Sequence, residues 1–455
     1  MCGITGVITN NCNVASKENT INLINSLNNI QHRGQHSYGF SFNEHGCIID
    51  VKGVGLIDSS LINHRPIKIG LGHVRYPTSG VLDDCEIQPL VSDNRLIALV
   101  HNGNISNYDE IKHKFNLKTN SDSELIIQLF ENLISNYISD LSSLSFEIIE
   151  DIILKISNEL KGSYSIIVMI VGYGLICFKD PLGIRPLVYA MNNNNFIVSS
   201  ESVSFNTPAF SNGHEVNGGE FIIINNSGLY TKNYRPITNK PCIFEWVYLA
   251  REDSIIHGVS VYEARLKMGE YLAFDLMQDK SIDINQIDYV IPVPETSRPV
   301  AQRMAEVLNK PYREGIVKNR YVTRTFIMNN QYQRTLNISK KFGINPSVVA
   351  GKNIVVVDDS IVRGNTLNHI VKLLYNNKVK NIIVASSSSM IVNTNVYGLD
   401  IPTQTELLAY NKSIEDIENY LNVSKVVYLS KENMCKSVTD LNNKLTQFEL
   451  SVFSN

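Results

Sequence analysis

Two apolar runs in the second half of the chain set the strongest limit on its fold: Tyr289-Val290-Ile291-Pro292-Val293 and Ile354-Val355-Val356-Val357. Neither alternates apolar with polar residues, so each must be covered on both faces. Each passes through a short turn into a helical pattern, Val300 to Leu308 and Leu367 to Leu374, which predicts an α/β unit built on a parallel sheet. The first half has another rhythm. Ile4-Thr5-Gly6-Val7-Ile8 reads as a strand, and Ile166 to Val171 followed by Gly172-Tyr173-Gly174 and Leu175 to Phe178 reads as a buried hairpin, predicting stacked antiparallel sheets. Leu125, Ile126, Leu129, Phe130 and Leu133 repeat at helical spacing and predict a helix over 123–134, while Asn192 to Asn195 reads as a loop tip. The change of rhythm falls between Glu220 and Cys242, so the boundary is placed near residue 235, giving units 1–235 and 236–455 of this 455-residue chain.

Composition narrows the classes of partner. With 41 basic and 44 acidic side chains the net charge is -3, leaving no global basic field for nucleic acid. Seven Cys without a C-x-x-C pair argue against a disulfide framework, a zinc ribbon or a thioredoxin-like motif, so a reduced, cytoplasmic setting is expected. The start Met1-Cys2-Gly3-Ile4 lacks a basic region backed by an apolar one, and Gly172 and Gly174 break the longest apolar passage; neither a signal peptide nor a membrane span is expected.

The run Ile354 to Val357 leads directly into Asp358-Asp359, then Ser360-Ile361-Val362-Arg363-Gly364-Asn365-Thr366, then the helical pattern. Backbone N–H groups of such a loop can converge on a phosphate at a helix N-terminus, with Gly364 permitting close approach. Paired carboxylates at the strand end suit ribose hydroxyls or a cation such as Mg²⁺, because adjacent acids repel. The dipeptide alone reads as a solvated acidic turn. The whole stretch resembles the phosphoribosyl pyrophosphate (PRPP) signature of type I phosphoribosyltransferases. A second loop after the other apolar run, with Glu295, Thr296 and Ser297, could hold pyrophosphate or be a plain strand-to-helix turn.

Cys2 becomes N-terminal if Met1 is removed, and its α-amine, with an ordinary pKa of roughly 8, is then a built-in base for the thiol. Cys2-Gly3-Ile4-Thr5-Gly6 resembles the opening of class II glutamine amidotransferases, whose N-terminal nucleophile (Ntn) hydrolase fold is a four-layer αββα sandwich. The resemblance implies that Arg75, in Gly72 to Thr78, grips the glutamine α-carboxylate, and that the Asn102 amide and Gly103 N–H, in His101 to Ile105, form the oxyanion hole. It also implies that Asp122, in Asn120 to Glu124, binds the α-ammonium; Asp122 equally suits a helix N-cap. His73 and His101 are read as structural.

Together the two halves resemble the amidophosphoribosyltransferase family over essentially the whole chain, with further support from Asp180 to Pro186, Cys242 to Tyr248, Val261 to Arg265, Lys318 to Ile327 and Tyr397 to Asp400. The resemblance implies an Ntn αββα domain followed by a type I phosphoribosyltransferase domain, in α+β and α/β classes. It implies conversion of glutamine, PRPP and water to 5-phosphoribosylamine, pyrophosphate and glutamate, with Mg²⁺ at Asp358 and Asp359. It further implies a homotetramer, feedback by AMP- and GMP-type nucleotides, no nucleic-acid or membrane partner, and a loop from Arg324 through Arg334 to Lys341 closing over PRPP, with Arg324 and Lys341 reaching the phosphates or supporting the closed loop. One branch of the family carries an iron–sulfur cluster on four cysteines; here only Cys242 and Cys435 match, with Asn395 and Val438 at the other places, and Cys2 follows Met1 with no propeptide, so no cluster is expected. His36, Tyr38, Asn329, Asn330 and Ser339 depart from the family pattern. Rival readings are another class II amidotransferase, which leaves Asp358 to Thr366 unexplained, and a PRPP-sensing regulator, which leaves Cys2, Arg75, Asn102 and Asp122 unused.

Overall fold

The computed structural model describes residues 2–9, 15–76, 86–138, 140–192, 195–205, 210, 213–319 and 341–453. Gly3–Thr9 is buried along its whole length and sits inside a seven-stranded antiparallel sheet. It pairs on one side with Ile69–Arg75 and on the other with Asn195–Ser199. A six-stranded antiparallel sheet carries Ile97–Ile105, Gly162–Ile170 and Gly174–Lys179 as consecutive neighbours, the last two being the expected hairpin. The sheets meet through Ile4, Ile8 and Leu71 on one side and Val100, Ile167 and Cys177 on the other. Helix Lys17–Asn29 covers the first sheet with Leu23 and Leu27, and helices Asp122–Ser135 and Phe146–Glu159 cover the second. This is the αββα sandwich: each sheet has two apolar faces to bury, and only four layers bury them all.

The helix expected over 123–134 is Asp122–Ser135, capped by the Ser121 hydroxyl, which accepts the Ser123 N–H at 3.3 Å. The loop tip expected at Asn192 to Asn195 is shorter at its end, because Asn195 already pairs with Thr9 and opens a strand. Its N–H donates to Asn192 Oδ1 at 2.7 Å, tightening the turn.

In the second half, Tyr289–Pro292, Asn353–Asp358, Asn381–Ser386 and Lys425–Tyr428 form a four-stranded parallel sheet in that order. Helices Val261–Gln278 and Arg298–Val307 pack on one face, against Val355 and Val357. Helices Asn365–Asn376 and Ile414–Leu421 pack on the other, against Ile354 and Val356, so the continuous apolar run is buried from both sides. Both strand-to-helix turns therefore open at one edge of the sheet, beyond its carboxyl ends. Among the described residues no helix is long and apolar enough to cross a membrane.

The junction between the halves holds buried charge. Glu215 Oε1 accepts the His257 N–H at 2.5 Å, while Oε2, and Nζ of the fully buried Lys179, have no partner among the described residues. Burial pushes the Glu215 carboxyl up to about 7, against the pull of Lys179. The fold then holds a proton that the unfolded chain releases above its ordinary pKa of about 4.3, so this group lowers stability as pH rises from there to about 7. Glu215→Gln is expected to raise the melting temperature at pH 8 by a few degrees and to leave it nearly unchanged near pH 4. Equal shifts at both pH values, in thermal denaturation followed by circular dichroism, would remove the carboxyl as the cause.

Candidate active site

Cys2 stands at the mouth of the first sheet, one residue ahead of the strand whose Gly3 pairs with Val74. Its backbone N–H donates to Asn102 Oδ1 at 3.2 Å, and its carbonyl accepts from Arg33 Nε at 3.1 Å. Because Oδ1 is taken by a donor, the Asn102 amide must turn its NH₂ the other way. That Nδ2 is buried and without a partner among the described residues. An uncommitted buried donor is costly unless something uses it, and an oxyanion would. Gly103 follows on the same strand, so close to its neighbour that a Cβ would lie 2.0 Å from the Ser163 carbonyl oxygen; no larger residue fits there.

Arg75 ends its strand and binds Glu86 at 2.7 Å through one nitrogen, leaving NH1 buried without a partner among the described residues. Asp122, at the first position of its helix, accepts the Ile105 N–H at 3.0 Å and lies 3.7 Å from His101 Nδ1. Burial pushes its carboxyl up, but His101, the Ile105 N–H and Ser123 outweigh burial and hold it below the usual carboxylate range. Asp122 thus serves the local fold while staying negatively charged at neutral pH. Burial first, then Arg75 and His101, hold the His73 imidazole well below its usual value, which keeps it neutral. Pro77 and Thr78, which close the stretch around Arg75, lie outside the described residues.

The loop that follows Asp358 emerges where the parallel sheet ends. Asp358 and Asp359 are both pushed up by burial; for Asp358 the neighbouring Asp359 adds to it, while hydrogen bonds from Thr296 and Ser360 oppose it at Asp359. Thr296 Oγ1 donates to Asp359 Oδ2 at 2.5 Å, tying the two strand-end loops together, and Ser360 Oγ donates to Oδ1 at 2.8 Å. Gly364 caps helix Asn365–Asn376 at φ 74°, and a Cβ there would meet Leu408 Cδ2 at 2.6 Å. If the loop binds PRPP as the resemblance implies, Gly364→Ala is expected to raise the KM for it about tenfold, as the loop shifts to relieve strain of about 1–3 kcal/mol. Titration of PRPP with ammonia as the nitrogen source measures it, and an unchanged KM would mean that the loop does not bind phosphate.

A cavity of about 850 Å³ lies over the 358–366 loop and is bounded by residues of both halves. Asp358, Asp359, Ser360, Thr366, Thr296, Glu295 and Lys341 line it from the second half, and His32, Arg33 and Tyr76 from the first. Three expected residues point elsewhere. Ser297 is buried and donates to its own loop's Val293 carbonyl at 2.5 Å; Arg363 is held by Glu406 at 3.1 Å; Asn365 Oδ1 accepts from the Tyr420 hydroxyl at 3.4 Å. Arg324 and the loop around it, with Asn329, Asn330, Arg334 and Ser339, lie outside the described residues.

The 358–366 loop thus opens into a cavity that the first half reaches through Arg33, which holds the Cys2 carbonyl, and comparison with known proteins gives the same pair of domains. The model of a glutamine amidotransferase domain matches residues 73–207, and that of a phosphoribosyl transferase domain matches 261–390. The curated amidophosphoribosyltransferase of Pasteurella multocida is 37% identical over 100% of this chain and 92% of its own, and that of Escherichia coli is 36% identical with the same coverage. This chain belongs to the amidophosphoribosyltransferase family. A solved glutamine PRPP amidotransferase from B. subtilis, in complex with ADP and GMP, superposes with a TM-score of 0.85 at 31% identity, covering 100% of this chain and 96% of that one.

Within this amidophosphoribosyltransferase, sequence reasoning assigned no role to Arg33, which touches the Cys2 carbonyl and forms the centre of a buried ionic network. It binds Glu201 at 2.5 Å and Glu245 at 3.0 Å, His32 joins Glu201 at 2.8 Å, and Arg185 approaches Glu245 at 3.5 Å. Burial would push the Glu201 carboxyl up, but Arg33 and His32 hold it far below the usual range. Glu245 reaches Arg33 from a π-helical turn, Glu245–Leu249. The buried Arg265, with Nε donating to the Trp246 carbonyl at 2.9 Å, also lines the cavity, a place that the motif Val261 to Arg265 does not by itself reveal. Of the positions at issue for a cluster, Cys242 is buried with its thiol pushed up to about 12 by burial, Val438 is apolar core, and Asn395 holds a turn by hydrogen bonds. These side chains do not form a four-thiolate site.

Proposed function

We propose that this amidophosphoribosyltransferase, which makes the first intermediate of purine biosynthesis, hydrolyses glutamine at Cys2 and uses the released ammonia in the cavity lined by Asp358 and Asp359. The observation that carries the glutaminase assignment is the buried, unpartnered Asn102 Nδ2 beside Cys2. With Met1 removed, the Cys2 amine takes the thiol proton and the sulfur attacks the glutamine amide carbon. Asn102 Nδ2 and the Gly103 N–H stabilise the oxyanion, while Arg75 and Asp122 hold the α-carboxylate and α-ammonium. Collapse expels ammonia and leaves a glutamyl thioester, which water hydrolyses to glutamate. Ammonia crosses the cavity unprotonated and displaces pyrophosphate from C1 of PRPP, giving 5-phosphoribosylamine.

On the acceptor side Asp358, Asp359, Ser360 and Thr366, with Glu295, Thr296 and Lys341, surround the space for PRPP. The two buried, mutually repelling carboxyl groups fit a divalent cation. Among the described residues no three such ligands cluster, so a Mg²⁺ there would take its remaining oxygens from PRPP and water. Bound Mg²⁺ supplies neutralisation of the pyrophosphate leaving group. The division near residue 235 rests on the last strand of the second sheet, which ends at Asn233. The same reading makes the enzyme a cytoplasmic homotetramer under feedback by AMP- and GMP-type nucleotides, supported by the ADP and GMP of the B. subtilis complex.

Purified protein given glutamine, PRPP and Mg²⁺ is expected to release glutamate and pyrophosphate in equal amounts. Pyrophosphate without glutamine use, or glutamate release that PRPP never converts to product, would break the coupled mechanism.

A further inference from the structure

Residues 395–401 lie between the two half-sites and touch both. Asn395 Oδ1 accepts the N–H of Tyr397 at 2.8 Å and of Leu399 at 3.0 Å, which folds the segment into a tight turn. Its Nδ2 donates to Glu449 Oε2 and Ser451 Oγ, both at 3.3 Å, anchoring the turn to the C-terminal segment. Glu449 is in turn bound through its N–H to the Pro241 carbonyl at 3.0 Å. The outer side of the turn meets the glutaminase strand. The Tyr397 carbonyl accepts from Ser163 Oγ at 2.7 Å and Arg185 Nε at 3.0 Å, and the Val396 carbonyl accepts from Asn104 Nδ2 at 3.0 Å. Gly398 is at φ 85°, and a Cβ there would stand 3.0 Å from the Gly103 carbonyl oxygen, so the turn backs directly onto the oxyanion-hole glycine. The next three residues, Leu399, Asp400 and Ile401, line the cavity that holds Asp358 and Asp359.

We infer that Asn395 is a positioning residue of the glutaminase reaction: it shapes the 395–401 turn into a brace that fixes Gly103 and Asn102 from the acceptor side. The inference rests on the reading of Asn102 and Gly103 given above. Its physical basis is that an oxyanion hole works only when its donors are held to within a fraction of an ångström, and the turn is tied to the strand residue next to Gly103 through Asn104 and to the facing strand through Ser163, with no room for a side chain between Gly398 and Gly103. Glutamine itself is gripped elsewhere, by Arg75 and Asp122, so the brace should affect turnover and not binding.

Asn395→Ala is expected to lower kcat for glutamine hydrolysis about tenfold or more, leaving the KM for glutamine within about twofold and ammonia-dependent synthesis intact. Asn395→Asp keeps the acceptor for both N–H groups but replaces the donor to Glu449 with a second carboxylate, and is expected to recover only part of the rate. Ser163→Ala removes one hydroxyl without changing the core volume, and is expected to give the same split at smaller size even where the Asn395 variant folds poorly. Parallel loss of glutamine- and ammonia-dependent rates together with melting temperature, or an unchanged glutaminase kcat in both Asn395→Ala and Ser163→Ala, would overturn the brace. Wild-type protein that never hydrolyses glutamine would instead fail the underlying assignment of Cys2 and Asn102.

Discussion

Cys2→Ala is expected to abolish glutamine-dependent synthesis of 5-phosphoribosylamine by about five to six orders of magnitude, while synthesis from ammonia survives. The size follows from the absence of a substitute. Among the described residues, burial pushes the thiols of Cys177, Cys242 and Cys435 up, away from the thiolate form at neutral pH, and the exposed Cys47 sits on the edge strand Cys47–Val54, separated from Gly3–Thr9 by two strands. The two rates separate because free ammonia reaches the acceptor site without the nucleophile. Cys2 also contributes little to the fold through its sulfur: its contacts to Asn102 and Arg33 are made by backbone atoms that alanine retains. Assay of pyrophosphate release with glutamine and, separately, with ammonia at alkaline pH reads both halves. Loss of both rates in a variant with an unchanged melting curve would move Cys2 into the acceptor chemistry and sink the assignment.

Asp358→Asn has the opposite signature: synthesis from glutamine and from ammonia should both fall, by roughly 10²–10³, because both need the same electrophile. Stability should hold or rise. Burial and the adjacent Asp359 push Asp358 well above the usual carboxylate range, so ionising it in the free fold is unfavourable. For a carboxyl raised in this way, stability is greatest below its unfolded pKa of about 3.9 and falls as pH rises through the window above it. A neutral isostere removes that pH-dependent penalty, and the variant is expected to melt a few degrees higher at pH 8. Activity lost with stability gained is the mark of a site organised for function. A variant that keeps its ammonia-dependent rate would remove Asp358 from the PRPP site, and a lower melting temperature would mean that the pair is already compensated in the free fold.

The ease of reading differed between the two kinds of residue in this site. The strand ending at Asp358 was legible because burial on both faces forces an uninterrupted apolar run, and the loop beyond it because Gly364 must adopt a backbone conformation that few residues tolerate. The helix after Asp122 was legible from its period alone. What side chains do once packed was not. Ser297 and Arg363 belong to loops read correctly as strand-end turns, yet one hydroxyl faces its own backbone and one guanidinium is drawn to Glu406, a residue 43 positions away. Arg33 finds Glu245 across 212 positions, and Arg185 finds the Tyr397 carbonyl across another 212. Such partnerships are set by tertiary packing and leave no local period or spacing to read.

The ionic network around Arg33 has a consequence for modularity. Its anions lie on either side of the proposed boundary near residue 235, Glu201 before and Glu245 after it, and the side chains of Arg33, Glu201 and Glu245 are sealed from water. Severing the polypeptide at that boundary would leave the amino-terminal piece with Arg33 and Arg185 stripped of Glu245, at the spot where Arg33 steadies the backbone of the attacking residue. A free-standing glutaminase cut from this enzyme would therefore need a new counter-ion before it could work alone, which binds the two chemistries into one heritable unit more firmly than a shared linker would.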